Sequence, residues 1–286
     1  MNKIDTKILE KTAKVTKRKH HKGTLMAIGG HEDISKESII LRIIAKKIGT
    51  GKLVVLPFGS EDPEFMRKKY TPAFRRVGIK HLHFLNIEFR SEANNEEIVK
   101  VLNDASGVFI CGGDQHKINT LIGSTLLCES IREIYNRGGV LAGTSAGASV
   151  LSETMLVYPE HVESDKGNEF ELAPGLSFMP RDILIDQHFS QRKRFGRILS
   201  VVAKNPRLLG IGLDENTAVM LERNKFKVIG EGLAYVFDGS SISFMNLERT
   251  AYDMKVHIMS EGYEYDLNSR IPIIPKTKLL NKTLSN

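Results

Sequence analysis

The chain has 286 residues, 41% of them hydrophobic and 26% charged, a composition typical of a globular protein with one large α/β domain or two small ones. No apolar run is long enough to cross a bilayer, and the polar, lysine-rich start lacks the pattern of a signal peptide. Only two cysteines occur, which excludes a disulfide scaffold, and we expect a cytoplasmic protein without a membrane segment.

The net charge of +7 is concentrated at the two ends of the chain. Residues 1–22 carry +6 and residues 270–286 carry +4, so the body between them carries about −3. We therefore expect a basic N-terminal arm at 1–22, a single α/β domain at 23–269 and a basic C-terminal tail at 270–286. The arm lacks interleaved aromatic residues, so a solvated tail is favoured over a nucleic-acid or membrane contact.

From residue 23 to residue 145, short apolar runs alternate with helical patterns. The predicted strands are "GTLMAIGG", "KLVVLPFGS", "KHLHFLNI", "GVFICGG" and "GVLAG". The predicted helices between them are "SKESIILRIIAKKIG", "PEFMRKKYTPAFRRVG", "NNEEIVKVLNDA" and "DQHKINTLIGSTLLCESIREIYNRG". Nearly continuous apolar strands that alternate with helices indicate parallel strands buried on both faces. The sequence predicts a doubly wound, mostly parallel α/β sheet.

After residue 155 the pattern becomes richer in strands. "ILIDQHF" (183–189) and "LLGIGLDENTAVML" (208–221) read as strands, and "KFKVIGEGLAYVFDG" reads as short strands separated by turns. This half is predicted to be a β-rich extension of the same domain.

Three strand ends carry unusual glycine-rich motifs: "GGHED" (29–33), "GGDQ" (112–115) and "GTSAG" (143–147). Doubly wound sheets bind ligands at the carboxyl ends of their strands. We expect the three motifs to meet at one edge of the sheet.

Ser145 lies at the centre of the third motif, which matches G-x-S-x-G. A serine on a sharp strand-to-helix turn exposes its hydroxyl, and the next backbone N–H can stabilise an oxyanion. The motif alone is equally compatible with a structural turn, because Gly, Ser and Ala are common at such junctions.

A nucleophilic serine needs a base and an acid that orients the base. His188 follows an apolar run in "IDQHFSQRKRFGR", although a solvated helix start would give a similar pattern. Asp214 and Glu215 in "GLDENTAV" are both candidates for the acid, with an ordinary turn as the alternative.

The motifs "GGHED", "GGDQ", "GTSAGA", "DQHF" with "RKRFGR", and "GIGLDENTAV" occur in this order over residues 23–240. In this the sequence resembles the cyanophycinases, serine peptidases of the family that also contains aspartyl dipeptidase (peptidase E). The resemblance implies a flavodoxin-like fold related to the class I glutamine amidotransferases. It also implies that Ser145 is the nucleophile, His188 the general base and Glu215 the orienting acid, with oxyanion donors at the backbone of Gly113 and Ala146.

The resemblance further implies hydrolysis of cyanophycin to β-Asp-Arg dipeptides through an acyl-enzyme, by a homodimer without metal or organic cofactor. Cyanophycin is a polyaspartate with arginine on each β-carboxyl, so a pocket of carboxylate and guanidinium partners suits it. The residues that match the substrate pocket are Gln115, Asp186, Gln187, Arg192, Arg194 and Arg197.

Two other functions remain open at this point. An aspartyl dipeptidase acting on Asp-X or isoaspartyl dipeptides would share the catalytic residues, although the three arginines favour the larger substrate. A non-catalytic binding module would keep the fold without the chemistry, which the presence of all three catalytic candidates argues against. The acidic body argues against a nucleic-acid-binding protein.

Overall fold

The computed structural model describes residues 23–157, 171–245 and 250–275, which form α/β structure around two main sheets. The strands are β1 (Thr24–Ile28), β2 (Lys52–Leu56), β3 (His81–Phe84), β4 (Ala105–Ile110), β5 (Val140–Thr144), β6 (Thr154–Val157), β7 (Glu171–Pro174), β8 (Ile183–Gln187), β9 (Leu209–Leu213), β10 (Thr217–Glu222), β11 (Lys225–Gly230), β12 (Ala234–Asp238), β13 (Phe244–Met245), β14 (Ala251–Tyr252), β15 (Lys255–Met259), β16 (Glu264–Asp266) and β17 (Ile271–Ile273). The α-helices are α1 (Ile39–Ile48), α2 (Pro63–Arg76), α3 (Glu96–Val99), α4 (Gln115–Ile122), α5 (Leu126–Asn136), α6 (Ala146–Ser149) and α7 (Phe195–Lys204).

The larger sheet has nine strands in the order β17-β16-β11-β10-β1-β5-β4-β2-β3. The strands from β1 to β3 in this order are parallel. On the other side of β1, the strands β10, β11, β16 and β17 extend the sheet in antiparallel register. The predicted parallel α/β sheet with a β-rich C-terminal extension is thereby confirmed.

The parallel strands are buried on both faces, as their apolar sequences predict. In β1, Leu25 and Ala27 pack into one core, while Met26 and Ile28 pack into a second core on the opposite face. This alternation follows from the two-residue period of a strand. Apolar cores cover both faces of the parallel strands, so we expect a ligand to reach these strands at their ends.

A second sheet has four strands in the order β15-β12-β9-β8, with β8 and β9 parallel. It packs with α7 in a third apolar core around Phe189 and Phe237. The chain leaves this sheet at Leu213 and enters the larger sheet at Thr217. The short connection between these two residues carries two of the candidate catalytic residues.

Two predicted helices are interrupted in the structure. The helix predicted over 94–105 is only the single turn α3 flanked by two 3-10 turns, because the Asn95 side chain accepts a hydrogen bond from the Glu97 N–H and starts a new helix there. The long helix predicted over 114–138 is divided into α4 and α5 at Gly123, and Thr125 caps the second helix.

The ends of the chain are only partly described. The N-terminal arm at 1–22 and residues 276–286 lie outside the described residues. Within the predicted tail at 270–286, residues 271–273 form β17, which pairs with β16 at the edge of the larger sheet. No helix in the described part of the chain is long and apolar enough to cross a membrane.

Arg270 anchors this last strand to the rest of the fold. Its guanidinium donates to the buried Asp238 carboxylate at 2.7 Å and to the Arg207 carbonyl oxygen at 2.5 Å. We expect Arg270→Ala to lower the free energy of unfolding by about 1.5–3 kcal/mol, the usual contribution of a hydrogen bond to a charged group. Urea denaturation measures this change, and Arg75→Ala, at an exposed position of α2, is the control. A loss as small as that of the control would contradict the anchoring role.

Candidate active site

Ser145 lies on a sharp turn between β5 and the short helix α6. Its backbone has φ 54° and ψ −120°, a conformation that is costly for a residue with a side chain. The Ser145 N–H donates to the Ile28 carbonyl oxygen at 2.9 Å, and the Ser145 carbonyl oxygen accepts from the Ala148 N–H at 2.9 Å. These bonds hold the turn in place at the carboxyl end of β5.

The two glycines of G-x-S-x-G make this turn possible through close backbone contacts. A Cβ atom on Gly143 would overlap the carbonyl oxygen of Gly147, and a Cβ atom on Gly147 would overlap the carbonyl oxygen of Ile110. The helix start therefore packs directly on β4 and β5. This geometry favours the nucleophile elbow over an ordinary turn.

His188 and Glu215 meet at this turn. The Ser145 Oγ lies 2.8 Å from His188 Nε2, and His188 Nδ1 lies 2.7 Å from Glu215 Oε1. The His188 N–H donates to the Gly29 carbonyl oxygen at 2.9 Å, which fixes its backbone at the edge of the larger sheet. A Cβ atom on Gly30 would lie 2.6 Å from His188 Nε2, so only glycine fits there.

Asp214 and Glu215, the two candidates for the acid, have different surroundings. The buried Asp214 carboxylate accepts hydrogen bonds from the backbone N–H groups of Ser190 and Leu233, and so joins the loop after β8 to the start of β12. Glu215 is the residue whose carboxylate reaches His188. Asp214 has a structural position, and Glu215 has the position of the orienting acid.

The surroundings also set the protonation states of the pair. Burial lowers the pKa of His188 below its ordinary value, although the hydrogen bond with Glu215 acts in the opposite direction. Burial alone would raise the pKa of Glu215, but the hydrogen bonds from His31 and His188 outweigh it and lower that pKa. Near neutral pH the imidazole of His188 is therefore neutral and the carboxylate of Glu215 is ionised.

Two residues of "GGHED", Glu32 and His31, belong to the site although sequence reasoning assigned them no role. The buried Glu32 carboxylate accepts hydrogen bonds from Tyr70 Oη and, at 2.6 Å, from Thr144 Oγ1, and so ties the residue before Ser145 to the loop after β1. His31 Nδ1 lies 2.7 Å from the same Glu215 oxygen that His188 contacts. The motif "GGHED" marked these positions. Their partners Thr144 and Glu215 lie more than 100 residues away along the chain, so no local sequence pattern predicts the contacts.

His31, His188 and Glu215 are also the one group of three potential metal-binding side chains in the described ranges whose ligand atoms all lie within 4.8 Å of one another. Both imidazoles are at hydrogen-bonding distance, 2.7 Å, from Glu215 Oε1. We interpret the group as a hydrogen-bonded chain that ends at Ser145.

The predicted oxyanion donors, Gly113 and Ala146, belong to segments that lie close to Ser145. Ala146 is the first residue of α6, so its N–H lies at the helix start, where backbone donors lack partners within the helix. The segment that carries Gly113 is also close to Ser145, since a Cβ atom on Gly112 would lie 3.5 Å from Ser145 Oγ. Gly113 itself has φ 136°, which a residue with a side chain rarely adopts.

Three predicted substrate-binding residues retain positions compatible with that role. Arg192 is exposed, and its charge contributes to lowering the pKa of His188. Gln115 is half-buried at the start of α4, and its Nε2 donates to the Leu156 carbonyl oxygen at 2.6 Å. Gln187 is buried beside His188, and its Oε1 has no hydrogen-bond partner among the described residues.

The other three, Asp186, Arg194 and Arg197, form a buried ion cluster. Their side chains are 1%, 4% and 7% exposed. Arg197 forms a two-pronged ion pair with the Asp186 carboxylate, in which Nε lies 2.7 Å from Oδ2, and Arg194 Nη1 donates to Asp186 Oδ1 at 3.1 Å. These three residues bind one another inside the protein, and their direct contact with the substrate stays a prediction.

The ion cluster also supports His188, the proposed base. Arg194 Nη1 also donates to the Gln187 carbonyl oxygen at 2.7 Å, directly before His188. This contact and the ion pairs of the Asp186 side chain hold the end of β8 in place. Asp186 thus acts on the site through the backbone of its neighbour.

Asp186→Asn tests this structural role. Removing the charge leaves two buried guanidinium groups without their counter-ion, so we expect the free energy of unfolding to fall by about 3–5 kcal/mol. Arg192→Ala, an exposed arginine of the same segment, should change it by less than about 0.5 kcal/mol. Chemical denaturation of both variants measures the two values, and equal stabilities would contradict the structural role.

Comparisons with known proteins give the chain its family. The model of "Peptidase family S51" matches residues 25–229, which include Ser145, His188 and Glu215. The cyanophycinase of Synechococcus elongatus is 34% identical over 260 residues, which cover 87% of this chain and 80% of that protein. The cyanophycinase of a Nostoc species is 32% identical and covers 94% of this chain and 93% of its own length.

A solved structure supports the fold. A peptidase from an acI-B1 actinobacterium superposes with a TM-score of 0.67 at 23% identity, and the match covers 86% of this chain and 98% of that one. The family match and the identity to these relatives over most of the chain lead to one conclusion. The chain belongs to peptidase family S51 and is a serine peptidase.

Proposed function

We propose that this protein is a cyanophycinase, a serine-type exopeptidase that hydrolyses cyanophycin to β-Asp-Arg dipeptides through an acyl-enzyme intermediate. The chain of hydrogen bonds from Ser145 through His188 to Glu215 carries the proposal of a serine mechanism. The similarity to two cyanophycinases over most of their length supports the substrate.

In the proposed reaction, His188 Nε2 removes the proton from Ser145 Oγ as this oxygen attacks the carbonyl carbon of the substrate. Glu215 accepts a hydrogen bond from His188 Nδ1, so the imidazole keeps the tautomer in which Nε2 is free to take the proton. The imidazolium then gives the proton to the departing amine. Water attacks the acyl-enzyme with the help of the same imidazole, which releases the acyl part as a carboxylate and returns the proton to Ser145 Oγ.

Backbone donors stabilise the negative charge that develops on the carbonyl oxygen. The proposal assigns this role to the N–H groups of Ala146, which directly follows Ser145, and of Gly113, whose neighbour Gly112 lies close to Ser145 Oγ. Such fixed donors act most strongly on the transition state, because they need no rearrangement when the charge appears.

The proposal assigns the binding of a charged substrate to three polar residues, of which Arg192 is exposed, Gln115 is half-buried and Gln187 is buried. Arg192 offers a guanidinium for a substrate carboxylate, and Gln115 and Gln187 offer amide groups. Asp186 is already paired with Arg194 and Arg197, so the proposal assigns the arginyl part of the substrate to other groups. The proposal includes a cytoplasmic homodimer, for which the outermost strands β15 and β17 of the β-rich second half offer edges.

Replacement of the catalytic residues tests the mechanism. We expect Ser145→Ala to abolish hydrolysis of a β-Asp-Arg oligomer, and His188→Ala to be comparably damaging, because without its base the hydroxyl is a weak nucleophile. Glu215→Gln should cost less, and the double variant of Ser145 and His188 should be scarcely worse than either single variant. Steady-state hydrolysis with product identification by mass spectrometry measures each effect.

The control is circular dichroism of each variant, which establishes that the fold is intact. A well-folded Ser145→Ala protein that cleaves at the wild-type rate would show that the serine is only a turn residue. Cleavage of free Asp-X dipeptides in preference to insoluble cyanophycin would instead favour the aspartyl dipeptidase.

The pH dependence follows from the lowered pKa of His188. Because the base must be neutral, kcat/KM should be constant near neutral pH and fall as the pH decreases through the pKa of His188. Burial places this pKa below the ordinary 6.5, so the acidic limb of the profile should lie below pH 6.5. Steady-state rates in buffers of constant ionic strength measure the limb, and a midpoint above pH 6.5 would contradict the assignment.

A further inference from the structure

We propose that His31 is a positioning residue for the catalytic acid: it holds the Glu215 carboxylate in the orientation that His188 requires. The proposal rests on the proposed function of Ser145, His188 and Glu215, and it extends the triad by a fourth side chain. Neither the motif analysis nor the family match assigns a role to this histidine.

The geometry places two imidazoles on one carboxylate oxygen. His31 Nδ1 and His188 Nδ1 each lie 2.7 Å from Glu215 Oε1, and the ring centroids of the histidines are 5.1 Å apart at an angle of 75°. A carboxylate oxygen has two lone-pair sites, so it can accept both N–H donors at once. The two rings therefore hold the oxygen from two directions.

Glu215 needs such support because it lies on a connection and not within a strand. Its side chain is 29% exposed, whereas that of His188 is 5% exposed. An exposed glutamate loses considerable side-chain entropy when it is held in one rotamer. Within the described ranges, the Glu215 carboxylate contacts the side chains of His31 and His188, so His31 supplies the contact that is independent of the base.

His31 can provide this support because its own backbone is fixed against the same connection. The Asn216 N–H donates to the Gly30 carbonyl oxygen at 2.9 Å, and the Asp33 N–H donates to Asn216 Oδ1 at 2.9 Å. These bonds bracket His31 and are made by the residue directly after Glu215. His31 has φ 45°, a value outside the range of a regular strand, so the chain turns at this residue.

The consequence for catalysis is confined to the chemical step. His188 becomes positively charged when it accepts the proton of Ser145, and a well-oriented Glu215 stabilises that charge. Without His31 the carboxylate can rotate towards water, so the rate of proton transfer falls while substrate binding is retained. A side chain that instead contacted the substrate would mainly change KM.

The test compares two replacements of His31 that have the same shape as each other, His31→Asn and His31→Asp. Both residue types tolerate φ above 0°, so neither strains the loop. The Asn amide can place an N–H donor where Nδ1 of the histidine lies, whereas Asp has only acceptors and repels Glu215. We expect His31→Asn to keep kcat within about twofold of wild type, and His31→Asp to lower it by about tenfold or more, with KM little changed in both.

A second pair of variants tests whether His31 acts through Glu215. In the wild-type background His31→Ala should lower kcat about three- to tenfold, and in the Glu215→Gln background the same change should have less than about a twofold effect. His81→Ala, at an exposed histidine of β3 on the far edge of the sheet, is the control and should leave kcat unchanged.

A substrate-independent readout separates this proposal from the proposed function. The rate at which a fluorophosphonate labels Ser145 reports the reactivity of the nucleophile and does not require cyanophycin. If wild type is labelled but does not cleave cyanophycin, the proposed substrate is wrong and the labelling rates still decide the role of His31. Equal rates for the Asn and Asp variants, a change in KM alone, or full additivity with Glu215→Gln would each overturn the positioning role.

Discussion

The backbone of Ser145 at φ 54° is the constraint on which the site depends. A residue with a side chain pays of order 1–3 kcal/mol for such a conformation, so the surrounding structure must enforce it. The contact between Gly143 and Gly147 enforces it from within the motif, and the bond from Thr144 to the buried Glu32 enforces it from the neighbouring loop. The same arrangement that strains the backbone exposes the hydroxyl to His188.

Buried charge supports the base in a comparable way. Asp186 lies one residue from the end of β8 and binds two arginines that come from the segment after His188. Isolated charges are costly inside a protein, but here both guanidinium groups contact the Asp186 carboxylate, and these contacts also fix the direction of the chain. The loop after β8 is thus pinned on both sides, by this cluster and by the Asp214 carboxylate that accepts from the Ser190 N–H.

The sequence predicted the parallel strands and the elbow because both leave local signals, namely continuous apolar runs and closely spaced small residues. It did not predict the ion cluster, since the spacing of Asp186 from Arg194 and Arg197 does not reveal which way the side chains point. The same holds for His31, whose partner is far along the chain. The strand at 271–273 was missed for another reason, because the charges around it outweighed a run of only a few apolar residues.

The two sheets divide the catalytic residues between them. Ser145 follows β5 of the nine-stranded sheet, while His188 follows β8 of the four-stranded sheet, and Glu215 lies on the connection by which the chain passes from one sheet to the other. The hydrogen bond between Ser145 and His188 therefore spans the junction of two separately paired sheets. The backbone bond from the His188 N–H to the Gly29 carbonyl oxygen crosses the same junction. A small shift of one sheet against the other would lengthen the bond between nucleophile and base, so the contacts around residues 29–33 that join the two sheets help to hold the catalytic geometry.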